Sequence, residues 1–379
     1  ADKHPRAPVR DEELFMLRKI KLTCSVLAMA AVALCIIFWA EGRKDLEKTE
    51  GPVRIHYIGL HGSTDAILLE DNGHFALVDS GEDWDYPQGN HLEYPYRSGV
   101  IINQGFEEQV IYYMKSVGVT EENLDFYIGT HAHSDHIGSA DEVIRTFHPK
   151  VIYLKRYSDG NVTSRDNWWD NLYVYRMLLM EAKKEGIPVV QDLTEGMELT
   201  LGSHTRLRLY NTKVESAVKD ENANSLVILG KMWNNTVLLT GDMEPKTARN
   251  LLKEGVVGRV DILKLPHHGY LSNNPADILE KFSPKTAVVT GPLSNLDEET
   301  LELFQEMGTD LRTVHLSHAA LVNEFSAEGY ATSAGRVQSG WFQWEGSRYF
   351  MDENGQPFTG EVWIKGEKYI FDKRGRMQK

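Results

Sequence analysis

The sequence predicts an α/β protein with something extra at each end. Short β-rich apolar runs, such as Phe75 to Asp79 and Thr236 to Thr240, interleave with helical segments in both halves. Several of these runs end in clusters of His and Asp, the place where a layered α/β protein presents its chemistry. The ends differ in texture: Leu22 to Ala40 carries no charge, and from Gly340 the chain is rich in aromatic residues and glycine.

Composition bounds the function classes. With 379 residues the chain can hold one large domain plus extras. A hydrophobic fraction of 41% and a charged fraction of 25% are those of a folded globular protein. The formal net charge of −14 disfavours a general binder of polyanions, so nucleic acid is not the expected partner. Cys24 and Cys35 are the only cysteines and share one apolar segment, which excludes a disulfide framework.

Residues 1–21 read as a polar cytoplasmic tail with Lys3, Arg6, Arg10, Arg18, Lys19 and Lys21. Residues 22–40 are 19 uncharged positions, long enough to cross a hydrocarbon core of roughly 30 Å. Basic residues abut its start, so the expectation is a single-pass membrane anchor with the N-terminus inside and the rest outside. A cleaved signal peptide is the competing reading. Residues 41–52 are a charged linker.

The large domain is expected over residues 53–330. Val53 to Leu60, Ala66 to Glu70 and Phe75 to Asp79 read as strands, Phe106 to Val117 as a helix, and Phe126 to Gly129 and Val151 to Leu154 as further strands. Trp168 to Glu185 reads as a helix stopped by Gly186. Ser225 to Leu229 and Thr236 to Thr240 form a hairpin pattern, followed by a helix over Pro245 to Glu254 that opens on proline. Strands are expected at Asp261 to Leu265, Thr286 to Thr290 and Arg312 to Leu316, with helices at Pro275 to Phe282 and Asp297 to Met307.

Residues 331–379 contain two copies of a 20-residue unit, aligned at Gly340/Gly360, Gly346/Gly366, Tyr349/Tyr369, Asp352/Asp372 and Gly355/Gly375. A fixed period of this length marks a small module of β-hairpins. Its aromatic residues Trp341, Trp344, Tyr349, Trp363 and Tyr369 are candidates to hold a cation, although Glu361 stands where Trp341 would repeat. The alternative is a remnant that packs on the large domain and binds nothing.

The chemistry centres on His131-Ala132-His133-Ser134-Asp135-His136, directly after the apolar run Phe126 to Gly129. Imidazole nitrogen and carboxylate oxygen at this spacing are metal ligands, and the set is large enough for two ions. Gly241-Asp242 and Pro266-His267-His268-Gly269 follow two later apolar runs.

These three motifs, in this order, resemble the metallo-β-lactamase superfamily. The resemblance implies a four-layer αββα sandwich and a dinuclear hydrolase. It implies that Asp242 bridges two divalent ions, Zn²⁺ by default with Mn²⁺ as the alternative. The first ion would take His131, His133 and Asp242, and the second Asp135, His136, Asp242 and His267. His268 would be an alternative ligand or a cation near the phosphate. Asp135, Asp242 and His268 are thereby the catalytic candidates. Asp79 in Asp79-Ser80-Gly81 would orient a ligand. Asn224 stands where many members place a third imidazole on the first ion.

A closer resemblance runs through Ser63 to Glu70, Asn72 to Asp83, Tyr153 to Asp159 and Trp169 to Tyr173. These stretches are similar to teichoic acid phosphorylcholine esterase, a family that joins such a domain to choline-binding repeats. That resemblance implies a phosphodiesterase releasing phosphorylcholine from choline-bearing teichoic acid or a similar bacterial envelope glycan, by attack of a hydroxide shared between the two ions. A choline site needs aromatic faces and a carboxylate. Trp84, Tyr86, Tyr157, Trp168 and Trp169 are candidates, with Asp83 or Asp170. Tyr94 to Arg97 is a candidate loop at the mouth, and His315 and His318 read as structural. Gly241-Asp242-Met243-Glu244 and Pro266-His267-His268-Gly269 look more like the competence-type branch, which makes a nuclease the alternative. A wall protein that binds choline without catalysis is the third reading.

Overall fold

Alternating side chains on the strands fix the layers. The computed structural model describes residues 51–379 except 85–90, 96, 318, 335–339, 345, 353–356 and 379. In chain order the strands are β1 (Val53–Ile58), β2 (Ala66–Asp71), β3 (His74–Ser80), β4 (Leu124–Gly129), β5 (Ile152–Leu154), β6 (Val189–Val190), β7 (Met197–Leu201) and β8 (Thr205–Tyr210). Then come β9 (Val227–Met232), β10 (Asn235–Leu239), β11 (Ile262–Lys264), β12 (Thr286–Val289), β13 (Asp310–Thr313), β14 (Ala320–Ser326) and β15 (Gly329–Ala334). The last four are β16 (Gly340–Trp344), β17 (Ser347–Met351), β18 (Gly360–Ile364) and β19 (Glu367–Phe371).

One sheet has eight strands in the order β15-β14-β1-β2-β3-β4-β5-β6, and the other has seven, β13-β12-β11-β10-β9-β8-β7. Val53, Ile55, Ile67, Leu69 and Ile128 of the first sheet meet Leu207, Ile228, Val237 and Ile262 of the second in one buried core. The opposite face of the first sheet, with Leu68, Leu77 and Tyr127, is covered by helices Glu107–Ser116, Ala140–Phe147 and Asn171–Lys184. Helices Pro245–Lys253, Ala276–Phe282 and Glu298–Met307 cover the outer face of the second sheet. This is a four-layer αββα sandwich, in which a strand buried on both faces reads as a continuous apolar run. The parallel pairs β3/β4 and β10/β11 carry their C-terminal ends toward the site described below.

Differences from the sequence reading have local causes. β7 and β8 were not expected, because the charges of Arg206 and Arg208 interrupt a strand whose Leu207 and Leu209 face inward. The helix expected from Trp168 starts at Asn171, since Trp169 has a φ of +33° and breaks the helical path. Helix Ala140–Phe147 follows the metal-ligand motif after only the two-residue turn Gly138-Ser139, and it ends on a left-handed His148 rather than a glycine. β15 pairs with β14 and carries the first sheet through the boundary expected at 330. The anchor expected at 22–40 lies outside the described residues, and among the described residues no helix is long and apolar enough to cross a membrane.

The C-terminal repeats form two antiparallel hairpins, β16–β17 and β18–β19. Residues 51–379 form one compact unit. Tyr349 and Met351 are buried in the same core as helix Glu107–Ser116. Tyr349 is thereby corrected from a ligand-facing candidate to a packing residue. Trp341 already has a cation over its ring, the Arg348 guanidinium at 4.2 Å, and it touches Tyr369 at a centroid distance of 4.9 Å. Trp363 is 70% exposed, and Trp344 lies on β16.

One buried carboxylate ties the sheets together. Asp71 at the end of β2 accepts from the backbone N–H of Ser203 at 3.2 Å and of His204 at 2.7 Å, both in the β7–β8 turn. Asp71→Ala is therefore expected to lower stability by about 2–3 kcal/mol in urea denaturation while leaving metal content unchanged.

Candidate metal centre

β4 runs through buried Phe126 and Ile128 and ends at Gly129. The next residue, Thr130, is fixed by Asp79: its N–H donates to Oδ1 at 2.7 Å and its hydroxyl to Oδ2 at 2.8 Å. Asp79 sits in a left-handed backbone, φ +57°, at the end of β3. His131 and His133 then project before a short helix, Ser134–Ile137, that carries Asp135 and His136. Gly241, with φ +50°, brings Asp242 alongside; a Cβ there would lie 3.0 Å from the Thr130 hydroxyl. After β11, Pro266–Gly269 turns sharply, and both His267 and His268 adopt a left-handed φ, 50° and 52°. Such strained non-glycine positions gather at functional sites.

The side chains converge in two groups around Asp242. In the first, His131 Nε2 lies 3.0 Å from His133 Nδ1 and 4.0 Å from Asp242 Oδ2. In the second, His136 Nε2 lies 3.2 Å from His268 Nε2 and 3.1 Å from Asp242 Oδ1. Asp135 Oδ2 completes this group, 3.2 Å from His268 Nε2 and 3.9 Å from His136 Nε2. Asp242 is buried, and its oxygens meet imidazole nitrogens rather than backbone or hydroxyl donors. A carboxylate left so, with one oxygen facing each imidazole group, fits a bridge between two divalent ions. The clusters His131-His133-Asp242 and Asp65-His136-Asp242-His268 can each gather around one ion.

Two assignments change. The imidazole that meets His136 and Asp135 is His268, not His267. The consecutive left-handed residues turn His268 into the protein and leave the His267 side chain 28% exposed at the cavity. His267 Nε2 stands 3.5 Å from Asp242 Oδ2, on the side of the first group, and its Nδ1 meets Asn273 Oδ1 at 3.1 Å. Asn224 does not face either group. Its Oδ1 accepts from the Glu215 N–H at 2.8 Å, and its Nδ2 donates to the Glu215 carbonyl and to Glu221. Asp220 approaches instead, with Oδ1 3.4 Å from His133 Nε2.

A second layer of charge orients the ligands. Asp79 Oδ2 lies 2.7 Å from His136 Nδ1, and Asp65 Oδ1 lies 3.2 Å from His268 Nδ1. We read Asp65 as an outer carboxylate, because it faces the Nδ1 atoms while the Nε2 atoms face Asp242. Its other oxygen pairs with Lys264, whose ammonium is buried and also donates to the Gly241 carbonyl at 3.0 Å. Sequence reasoning missed both roles. The signal for Lys264 was a lysine inside the apolar run Ile262 to Leu265, which demands a buried partner.

The electrostatics separate the two groups. Burial, helped by His136, holds His131 well below the usual imidazole range, and burial likewise lowers His133. Burial also opposes charge on His136 and His268, but the carboxylates outweigh it and raise both. On Asp242 burial is outweighed by His136, His268 and His267, which hold it well below the carboxylate range.

A cavity of about 450 Å³ opens onto this centre. Its wall includes His133, Ser134, Asp135, His267, His268, Trp169, Tyr270, Glu82 and Asp170. Trp169 stands edge-on to His133 at 4.9 Å, and Arg97 holds it by donating to its carbonyl at 3.0 Å. Asp170 is buried with Oδ2 unbonded, and burial raises its carboxyl to about 6. Burial and the neighbouring Asp170 and Asp135 push Glu82 well above the carboxylate range.

Other candidates lie off the cavity. Asp83 is buried beside it, and Glu82 takes the lining position. Trp84 lies under the Arg374 guanidinium at 5.1 Å. Tyr157 donates to Asp159 at 2.8 Å, and Trp168 donates to the Val162 carbonyl at 3.0 Å, so both pack as structure. Tyr94 is buried against Tyr173 at 5.2 Å. His315 Nε2 meets the Gly62 carbonyl at 2.9 Å. Tyr86, Tyr96 and His318 lie outside the described residues.

Residues 59–213 match the family model of the metallo-beta-lactamase superfamily. Over this stretch the chain is similar to the metallo-β-lactamase superfamily. Among curated proteins it is 23% identical over 288 residues to ComE operon protein 3 of Bacillus subtilis, covering 75% of this chain and 33% of that one. It is 24% identical over 225 residues to Recombination protein 2 of Haemophilus influenzae, covering 59% and 22%. The chain thus spans a third or less of the length of these relatives. Among solved structures it is similar to the metallo-beta-lactamase fold protein YhfI of Bacillus subtilis, with TM-score 0.44, 15% identity, and coverage of 73% of this chain and 100% of that one. Similarity to CmlA beta-hydroxylase gives TM-score 0.42 and 14% identity, covering 76% and 55%.

Two measurements test this candidate metal centre. Elemental analysis should find about two divalent ions per chain, and about one in His136→Ala or His268→Ala. In the metal-free protein the raised Asp170 carboxyl contributes stability at low pH that is lost as pH rises through about 6. Asp170→Asn should therefore change little at pH 4 and stabilise by about 1–3 kcal/mol at pH 7.5, read by urea denaturation.

Proposed function

We propose that the domain is a metal-dependent phosphodiesterase whose substrate carries a cationic, choline-type headgroup, released as phosphorylcholine from teichoic acid or a related envelope glycan. The observation that carries this reading is the wall beside the candidate metal ligands, where Trp169 and Asp170, whose Oδ2 has no hydrogen-bond partner, line one cavity. An aromatic face and a buried carboxylate are what a quaternary ammonium needs. Asp170 and Asp135 on the same wall disfavour an extended polyanion.

Two bound ions would supply Lewis acidity toward the phosphoryl oxygens and a water acidic enough to act near neutral pH. His131, His133, Asp242, Asp135, His136 and His268 would hold them, while Asp79 and Asp65 keep His136 and His268 in one tautomer and orientation. Trp169 and Asp170 would bind the headgroup, and Tyr270 would narrow the mouth. In this reading the uncharged N-terminal segment anchors the enzyme, with the domain on the outer face of the membrane.

A second reading is a competence-type nuclease. It is favoured by the two curated relatives, one of them by name a recombination protein.

The test compares p-nitrophenyl phosphorylcholine, bis-p-nitrophenyl phosphate and single-stranded DNA, with Asp135→Ala as control. The proposal expects preference for the choline ester, lost in the control. Asp170→Asn should raise KM for the choline ester about tenfold and leave the generic diester nearly unchanged. Cleavage of DNA without choline preference would move the reading to the nuclease. Absence of metal-dependent turnover on all three would leave the binding protein.

A further inference from the structure

The C-terminal hairpins reach the cavity wall through one arginine. Arg374 follows β19, and its loop is closed by Asp372, whose Oδ1 accepts from the backbone N–H groups of Arg374 and Arg376, both at 2.9 Å. The Arg374 Nε donates to Glu108 at 3.0 Å, its Nη2 lies 3.6 Å from Glu107, and its guanidinium covers the Trp84 ring. Glu107 and Glu108 are both buried and adjacent on the first turn of helix Glu107–Ser116. Burial raises both carboxyls, Glu107 well above the carboxylate range, and Arg374 opposes the shift on each. A planar guanidinium meets both and an aromatic face at once, which an ammonium cannot do.

Glu107 in turn accepts from the Trp84 N–H at 2.8 Å. Gly105 lets the two segments touch, since a Cβ there would lie 2.4 Å from both Trp84 N and Glu107 Oε2. The Phe106 N–H donates to the Glu82 carbonyl at 3.2 Å, and the Ser139 hydroxyl donates to the same carbonyl at 2.8 Å. Glu82 is the residue of this segment that lines the cavity. The path from the hairpin to the wall is therefore Arg374, Glu107 and Trp84 by direct contact, and then along the chain through Asp83 to Glu82.

We propose that Arg374 is a positioning residue: it fixes the Glu82–Trp84 segment and with it the wall of the cavity, so that the second repeat sets substrate affinity. The effect on affinity rests on the reading of this cavity as the substrate site. The effect on the segment does not.

The full chain carries the test, as wild type, Arg374→Ala and Arg374→Lys. Backbone hydrogen exchange is read over 82–84 and 105–108, with KM and kcat measured on whichever diester the wild type hydrolyses. The alanine variant should exchange about tenfold faster at these amides, with the rest of the domain unchanged. Its KM should rise about fivefold or more while kcat and metal content stay near wild type. The lysine variant, which keeps the charge and loses the fork, should fall between. Unchanged exchange in 82–84 and 105–108, or a uniform rise across the domain, overturns the proposal. If the alanine variant does not fold, the lysine variant is held to the same two outcomes. Faster exchange at these amides in a protein inactive on every diester would sink the phosphodiesterase reading and leave the brace standing.

Discussion

The structure depends on one constraint, the burial of Asp242 among imidazoles, with no backbone or hydroxyl donor on either carboxylate oxygen. A carboxylate removed from water must be compensated by opposite charge. Here one oxygen faces His136 and His268, and the other faces His131 and His267. Three segments from both sheets must therefore end at the same place: the loops after β4, β10 and β11. The sandwich core aligns those strand ends, and the Thr130–Asp79 bonds and the Gly241 turn set the last few ångströms.

Around that centre, charge alternates outward. Imidazoles surround Asp242, and Asp79 and Asp65 stand behind two of the imidazoles. Lys264 stands behind Asp65. Each buried ion is tolerated because the next shell carries the opposite sign, and breaking one pair would strand the others. The left-handed His267 and His268 belong to the same economy of space, since a regular turn would not give the two rings separate faces of Asp242. Strain of this kind persists only where surrounding contacts over-determine it.

The cavity wall has a different character from the metal ligands. Glu82, Asp170 and Trp169 are held by long-range contacts: Arg97 on the Trp169 carbonyl, Ser139 on the Glu82 carbonyl, and the C-terminal hairpins through Glu107. The repeat module is part of this architecture. Tyr349 and Met351 fill the core beside helix Glu107–Ser116, and Arg374 pairs with the two glutamates of its first turn. A hairpin pair too small to bury its own apolar face gains stability by borrowing the large domain as a neighbour.

The sequence by itself determined the α/β class, the positions of most strands and helices in the large domain, and the ligand types His131, His133, Asp135, His136 and Asp242. These are legible because they are local: apolar runs have a period, and ligands at fixed spacing on one loop share a short reach. Strands whose inward side chains alternate with charge, such as β8, were not legible, because half of their signal depends on which face meets the other sheet. Only the tertiary structure decided that His268 rather than His267 meets His136, because that choice lies in two φ angles. It alone placed Asp65 and Lys264 behind the ligands and tied up Asn224 in the Glu215 and Glu221 bonds. It alone placed Trp169 and Asp170, out of a run of aromatic and acidic candidates, on the wall of the cavity. The physical reason is the same throughout. Spacing along the chain fixes what a residue can bind, whereas orientation and burial are set by contacts between segments far apart in sequence.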